Sequence, residues 1–183
     1  LCRQIGVAKP IRRGYAALHA GRLGWSHRRT VADTTVEFPV TNWYELRRAR
    51  GALAEAAVLE SLLADLDGDE VVWDVGANVG TYTVVGALSA RDGSVVAFEP
   101  HPDNAGRIDE NAALNELQNV RIEQLALGDE NGSARLHLHG DQAGGGQHSL
   151  IDESDDGVEI DLARGETFVR EGGPKPNVLK VDV

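Results

Sequence analysis

An α/β fold on a mostly parallel sheet is what the sequence predicts, and three observations predict it. Short apolar runs rich in β-branched residues, EVVWDV (70–75), GSVVAFEP (93–100) and NVRIEQLAL (119–127), alternate with stretches of helical composition, as strands and crossover helices do in a parallel sheet. The first is apolar on successive residues, the mark of a strand covered on both faces. The first passes directly into glycines at Gly76 and Gly80, where a strand can turn tightly into a helix. The expected architecture is Rossmann-like, and 183 residues at 42% hydrophobic content amount to about one domain with a real core.

The elements follow in order. Residues 1–30 carry Arg3, Lys9, Arg12, Arg13, Arg22, Arg28 and Arg29 and no acid, so this segment holds +7 and the remainder −18 of the net −11. It reads first as a solvated basic arm and second as a contact for an anionic membrane surface or an acidic partner. TTVEFPVTNWYELRRA (34–49) is a candidate lid. The division expected is therefore an arm and lid over 1–48 and a Rossmann-like domain over 49–183. ARGALAEAAVLESLLADL (49–66) repeats its apolar residues at helical spacing over about five turns, and Asp67 and Gly68 close it. YTVVGALSA (82–90) and DNAGRIDENAALNE (103–116) are the next helices. SARLHLHG (133–140) alternates with period two, as a half-exposed strand does. A glycine-rich loop, DQAGGGQHS (141–149), and an acidic stretch follow it, an insertion of hairpin and loop. VEIDLARGETFV (158–169) supplies a further strand and turn, GGPKPN (172–177) a stiff connector, and VLKVDV (178–183) a buried strand.

Charge narrows the function classes. The chain holds 29 acids against 18 bases, and only Lys9, Lys175 and Lys180 are lysines. A carboxylate-dense, lysine-poor chain suits a salt-adapted organism and argues against a nucleic-acid partner. A single cysteine, Cys2, excludes an internal disulfide. No apolar run approaches the ~18–20 residues of a membrane span or a signal segment, so the cytoplasm is the default location. Leu1 opens the chain, Met is absent, and NVLKVDV closes it, so the sequence reads as an excerpt of a longer one.

Candidate site residues come from the strand ends. Ligands of open parallel sheets bind outside the carboxyl ends of the strands, and Asp74, Glu99 and Asp182 fall there. Gly76 and Gly80 let the backbone turn and approach a ligand, and the helix beginning near Thr81 aims its N–H groups at it. Glu99 has the position of a carboxylate that accepts hydrogen bonds from two ribose hydroxyls. GANVG (76–80) has the spacing G-x-x-x-G, which lacks the second glycine that admits a pyrophosphate. An acid at Asp74 repels pyrophosphate and suits a ligand bearing an ammonium group. That combination fits S-adenosylmethionine.

At these residues the chain resembles the FkbM-type S-adenosylmethionine-dependent methyltransferases. The resemblance rests on DVGANVGTYT (74–83), FEPHPDN (98–104), NVRIEQLALGD (119–129) and NVLKVDV (177–183), and it covers residues ~70–183. In that family the last motif continues with Glu-Gly and further strands, and this chain ends before them. The resemblance implies a class I methyltransferase sandwich in which Asp74, Gly76, Asn78 and Gly80 hold the methionine part of the cofactor. It implies that Glu99 holds the ribose, that Pro100 and Asn104 shape the nearby wall, and that Leu125 and Ala126 lie beside the adenine. The acceptor it implies is a hydroxyl of a small molecule or glycan. Asp182 is the first candidate for a general base and His148 the second. His137 and His139 share a strand face without a third ligand of suitable spacing, so no metal is expected. His101 is expected to cap the next helix or lie near the cofactor, and Trp25, Trp43, Tyr44 and Trp73 to pack in the core or a flap. The competing functions are an NAD-type oxidoreductase, which the missing glycine disfavours, and an inactive cofactor-binding module.

Overall fold

The computed structural model describes residues 26–31, 34–39, 56–138, 148–149 and 157–182. Its centre is a four-stranded, wholly parallel sheet of order β10-β3-β4-β5, formed by β3 (Val71–Val75), β4 (Ser94–Phe98), β5 (Val120–Glu123) and β10 (Val178–Val181). Helices α2 (Thr81–Ser89) and α3 (Pro102–Leu114) connect β3 to β4 and β4 to β5. β3 and β4 are neighbours, and the chain later returns to add β10 on the other side of β3. The strand order therefore reverses between β3 and β10, and the crevice at such a reversal is where this architecture binds ligands.

The successive apolar residues of β3 and β4 are explained by two cores, one on each face. Val72 and Val95 join Leu59, Leu62, Val84 and Val85 on the side of α2 and of α1 (Ala56–Ala64). Trp73, Val75, Val96 and Phe98 face the opposite side and pack with Phe168 of α4 (Gly165–Arg170). Full burial of each such side chain contributes about 1.5–3 kcal/mol. The rings of Trp73, Phe98 and Phe168 meet edge to face at centroid distances of 5.0, 5.5 and 5.1 Å, a geometry that adds roughly 0.5–1.5 kcal/mol per pair. The indole Nε1 of Trp73 donates to Pro174 O at 3.0 Å, so its polar edge is satisfied. Trp73 is core packing, one of the two roles the sequence allowed it.

Elsewhere the chain departs from the sequence reading. NVRIEQLAL is two strands: β5 pairs with β4, whereas β6 (Leu125–Leu127) leaves the central sheet and pairs in parallel with β9 (Gly157–Ala163). The break falls at the exposed Gln124, and it lets Leu125 and Leu127 pack on the Trp73–Phe98 cluster. β6 belongs to a second sheet of order β6-β9-β7-β8, in which β7 (Gly132–Leu138) is antiparallel to both β9 and β8 (His148–Ser149). The expected hairpin is thus present, while residues 139–147 and 150–156 lie outside the described residues. GETFVR is the short helix α4 rather than a turn. VLKVDV is not buried on both faces: among the described residues β10 is an edge strand, and Leu179 and Val181 are each 56% exposed. Of the helix expected over 49–66, residues 56–64 form α1, and those before 56 are outside the described set.

Residues 26–31 and 34–39, assigned by sequence to an arm and candidate lid, pair as an antiparallel hairpin of β1 (Ser26–Val31) and β2 (Thr34–Pro39). Val36 and Phe38 enter the same core as α1 and α2. Asn115, at the end of α3, fastens the hairpin: Glu37 N donates to its Oδ1 at 2.9 Å and its Nδ2 donates to Glu37 O at 2.7 Å. Since α3 begins beside Glu99 and has 13 residues, this fastening lies about 20 Å from the strand tips. The remaining lid residues and the basic residues 1–25, with Trp25, Trp43 and Tyr44, lie outside the described set.

Candidate cofactor site

The segment 76–80 turns β3 into α2 through three left-handed residues, Gly76 (φ 71°), Asn78 (φ 54°) and Gly80 (φ 83°). Asparagine is among the few non-glycine residues that tolerate this region, and the Oδ1 of Asn78 accepts from Val79 N at 2.9 Å. Gly76 N and Ala77 N both donate to Phe98 O at 3.1 Å, which ties the turn to the end of β4. At Gly80 a Cβ would stand 3.2 Å from both Cγ atoms of Ile108 on α3, so a side chain there would crowd α3 as well as strain the left-handed turn. Asn111, one turn further along α3, donates from Nδ2 to Val79 O at 2.6 Å.

Glu99 sits just past β4 and is 5% exposed. Its Oε2 accepts from Asn78 N at 2.7 Å, and its Oε1 accepts from His101 N at 3.0 Å and from Asn104 Nδ2 at 3.2 Å. A carboxylate offers about four acceptor sites, so room remains for a hydroxyl donor. Burial pushes the Glu99 carboxyl above the ordinary carboxylate range, and the donors from His101, Asn104 and Asn78 offset this only in part. His101 is the N-cap of α3, where its Nδ1 accepts from Asp103 N at 3.2 Å. That is one of its two expected roles. Pro100 is half-buried beside it, and Asn104 is buried on the first turn of α3.

Asp74 is 1% exposed and already engaged. Thr83 Oγ1 donates to its Oδ2 at 2.6 Å. The Lys180 ammonium stands 2.9 Å from Oδ1, yet Oδ1 accepts no well-aligned hydrogen bond among the described residues, so this is a charge contact rather than a directed bond. Lys180 instead donates to Gly76 O at 3.0 Å. Sequence reasoning missed both Lys180 and Thr83. The available signal was a lysine inside an otherwise apolar strand, two residues before Asp182 and therefore on one face with it.

The structure brings most of the sequence candidates together. Asp74, Gly76, Asn78, Gly80, Glu99, Pro100 and Asn104 surround the tips of β3 and β4. Asp182 is exposed, and its N donates to Val75 O at 3.0 Å, which sets it beside Gly76 at the tip of β10. Leu125 and Ala126 lie half-buried in β6, just beyond Glu123, whose carbonyl accepts from Glu99 N at 3.1 Å. His148 is not with them: it lies in β8, on the far edge of the second sheet from β6. His137 is in β7, and His139 lies outside the described residues.

These strand tips offer a buried carboxylate with acceptor capacity left, a left-handed glycine turn and an uncapped helix start at α2. That set fits an adenosyl amino acid and lacks the turn a pyrophosphate needs. Residues 74–183 match the methyltransferase FkbM domain. The chain belongs to the FkbM methyltransferase family. It is 31% identical over 173 residues, or 93% of its length, to the hexuronic acid methyltransferase AglP of Haloferax volcanii, of which it covers 69%. It is 25% identical over 66% of its length to Methyltransferase 1 of Beauveria bassiana, of which it covers 57%. Among solved structures, M. jannaschii TYW2 in complex with AdoMet aligns with 53% of this chain at 23% identity and a TM-score of 0.40, and this chain covers 42% of it. As an FkbM methyltransferase the protein uses S-adenosylmethionine, and the oxidoreductase reading falls away. No helix among the described residues is long and apolar enough to cross a membrane.

Proposed function

We propose that this FkbM methyltransferase methylates a hydroxyl of an acidic sugar, with Asp182 as the general base. The observation that carries the sugar is the likeness over 93% of the chain to a hexuronic acid methyltransferase. Bound S-adenosylmethionine supplies an electrophilic methyl group at a sulfonium. The chain's own residues do the rest. Glu99 accepts a ribose hydroxyl, and the turn at 76–80 with Asp74 behind it seats the methionine end. Pro100 and Asn104 wall the ribose, and Leu125 and Ala126 flank the adenine. Holding two reactants in line contributes on the order of 7–11 kcal/mol of barrier reduction, so positioning dominates. Asp182, exposed at the tip of β10, takes the proton that the acceptor hydroxyl loses; His148 is too remote along the second sheet to be the first choice. A cytoplasmic reaction belongs to the same reading.

The test is transfer of labelled methyl, in high salt, to glucuronic and galacturonic acid conjugates and to their neutral counterparts. Preference for the uronates, with product stable to mild alkali, is the expected result. An alkali-labile product would be a methyl ester and would overturn the hydroxyl as acceptor. Asp182→Asn is expected to lower turnover on the order of 10²–10⁴-fold with cofactor affinity unchanged. Unaltered turnover removes Asp182 as the base.

A further inference from the structure

Lys180 is bound into the turn it faces from three sides. In the parallel register of β10 and β3, Lys180 pairs with Asp74, so both side chains rise on the α2 face of the sheet. The Lys180 side chain is only 10% exposed, with its Nζ 2.9 Å from Asp74 Oδ1, 3.0 Å from Gly76 O and 4.8 Å from the ring centroid of Tyr82. Each of these neighbours offsets part of the hydration that the enclosed side chain gives up.

Two consequences follow for the turn. The peptide between Gly76 and Ala77 is clamped at both ends, since its carbonyl accepts from Lys180 at 3.0 Å and its N–H donates to Phe98 O at 3.1 Å. Gly76 has φ 71°, and a glycine resists rotation of the adjoining peptide less than any other residue, so the clamp supplies the rigidity that the residue lacks. Lys180 also balances the charge of Asp74. Without it, a buried carboxylate would repel the carboxylate of an amino-acid ligand; with it, the floor of the turn is electrically near neutral and suits a zwitterion.

We infer that Lys180 is a positioning residue for the cofactor, holding the Gly76–Ala77 peptide and balancing Asp74 so that the turn accepts the methionine end. The inference rests on the reading of 76–80 as the segment that seats that end. It separates the two ends of the ligand: the methionine end depends on Lys180, and the adenosyl end depends on Glu99. Titrations of S-adenosylmethionine, S-adenosylhomocysteine and 5′-methylthioadenosine against the protein and its Lys180→Met variant read this directly, because the last ligand lacks the amino-acid end. Lys180→Met is expected to weaken the first two about tenfold or more, the scale of a hydrogen bond to a charged group, while 5′-methylthioadenosine stays within about twofold. Lys180→Arg, which keeps the charge, is expected to recover part of the loss. Unchanged affinity for S-adenosylmethionine, or an equal loss for all three ligands, overturns the positioning role. If the unsubstituted protein binds none of them, the reading of the turn fails and takes the inference with it. Should the single variant unfold through its uncompensated Asp74, the pair Asp74→Asn with Lys180→Met removes that charge. It must then show a selective loss greater than Asp74→Asn alone; a loss no greater overturns the role.

Discussion

Glu99 carries opposite demands on one carboxyl. Burial holds its proton to higher pH than in the unfolded chain, so between the ordinary glutamate value and the raised folded one the native state binds more protons. Stability from this group therefore falls as pH rises through that window. With the ribose placed as proposed, its hydroxyl donates to the ionised form, so cofactor affinity is expected to rise through the same window. Titration of S-adenosylmethionine against pH is expected to show affinity lost on acidification while still above the ordinary glutamate range. Glu99→Gln is expected to remove that dependence and to weaken binding at neutral pH by roughly 10–100-fold. A wild-type profile that is flat down to the ordinary glutamate range would show that Glu99 does not hold the ribose. The position of Glu99 was legible in the sequence because Pro100 marks the strand's end. Lys180 was not, since its role depends on the register of β10 against β3, strands more than 100 residues apart in pairing, and Thr83 was not, since its bond to Asp74 depends on how α2 packs against β3.

Among the elements, the legible ones are those whose pattern has a local cause. β3 and β4 are covered on both faces, and the unbroken apolar run records this. The split of β5 from β6 left no comparable mark, because the partner of Leu125 is Asp161 and nothing near Gln124 announces a strand that comes later. α4 is six residues long, too short for a 3.6-residue period to emerge. The N-terminal hairpin gave no hint of its docking, which rests on Val36 and Phe38 in the core and on the two hydrogen bonds of Asn115. Asn115→Ala is expected to cost about 1–3 kcal/mol by leaving the Glu37 backbone groups unpaired, visible as a lower denaturation midpoint. Affinity for S-adenosylmethionine is expected to stay the same, because Asn115 is at the opposite end of α3 from His101. Loss of affinity in a folded variant would show that the hairpin acts on the site.

For the whole molecule, the net charge of −11 sets the working conditions. Asp65, Asp67, Asp69, Asp109, Glu110, Asp129 and Glu130 are all exposed, and repulsion among such groups opposes the compact state until salt screens it. Thermal melts from about 0.1 M to 1 M salt, over which the screening length falls from roughly 10 to 3 Å, are expected to rise by several degrees. A melting temperature independent of salt would show that local ion pairs already neutralise the field.

One helix joins what the sheet alone would leave separate. At its head α3 presents His101 and Asn104 to Glu99, at its middle Ile108 and Asn111 abut Gly80 and Val79, and at its foot Asn115 grips the hairpin. The two halves of the ligand cradle are therefore gauged by a single rod and cannot drift apart independently. A change in the length or pitch of that rod would therefore move both halves together rather than one alone.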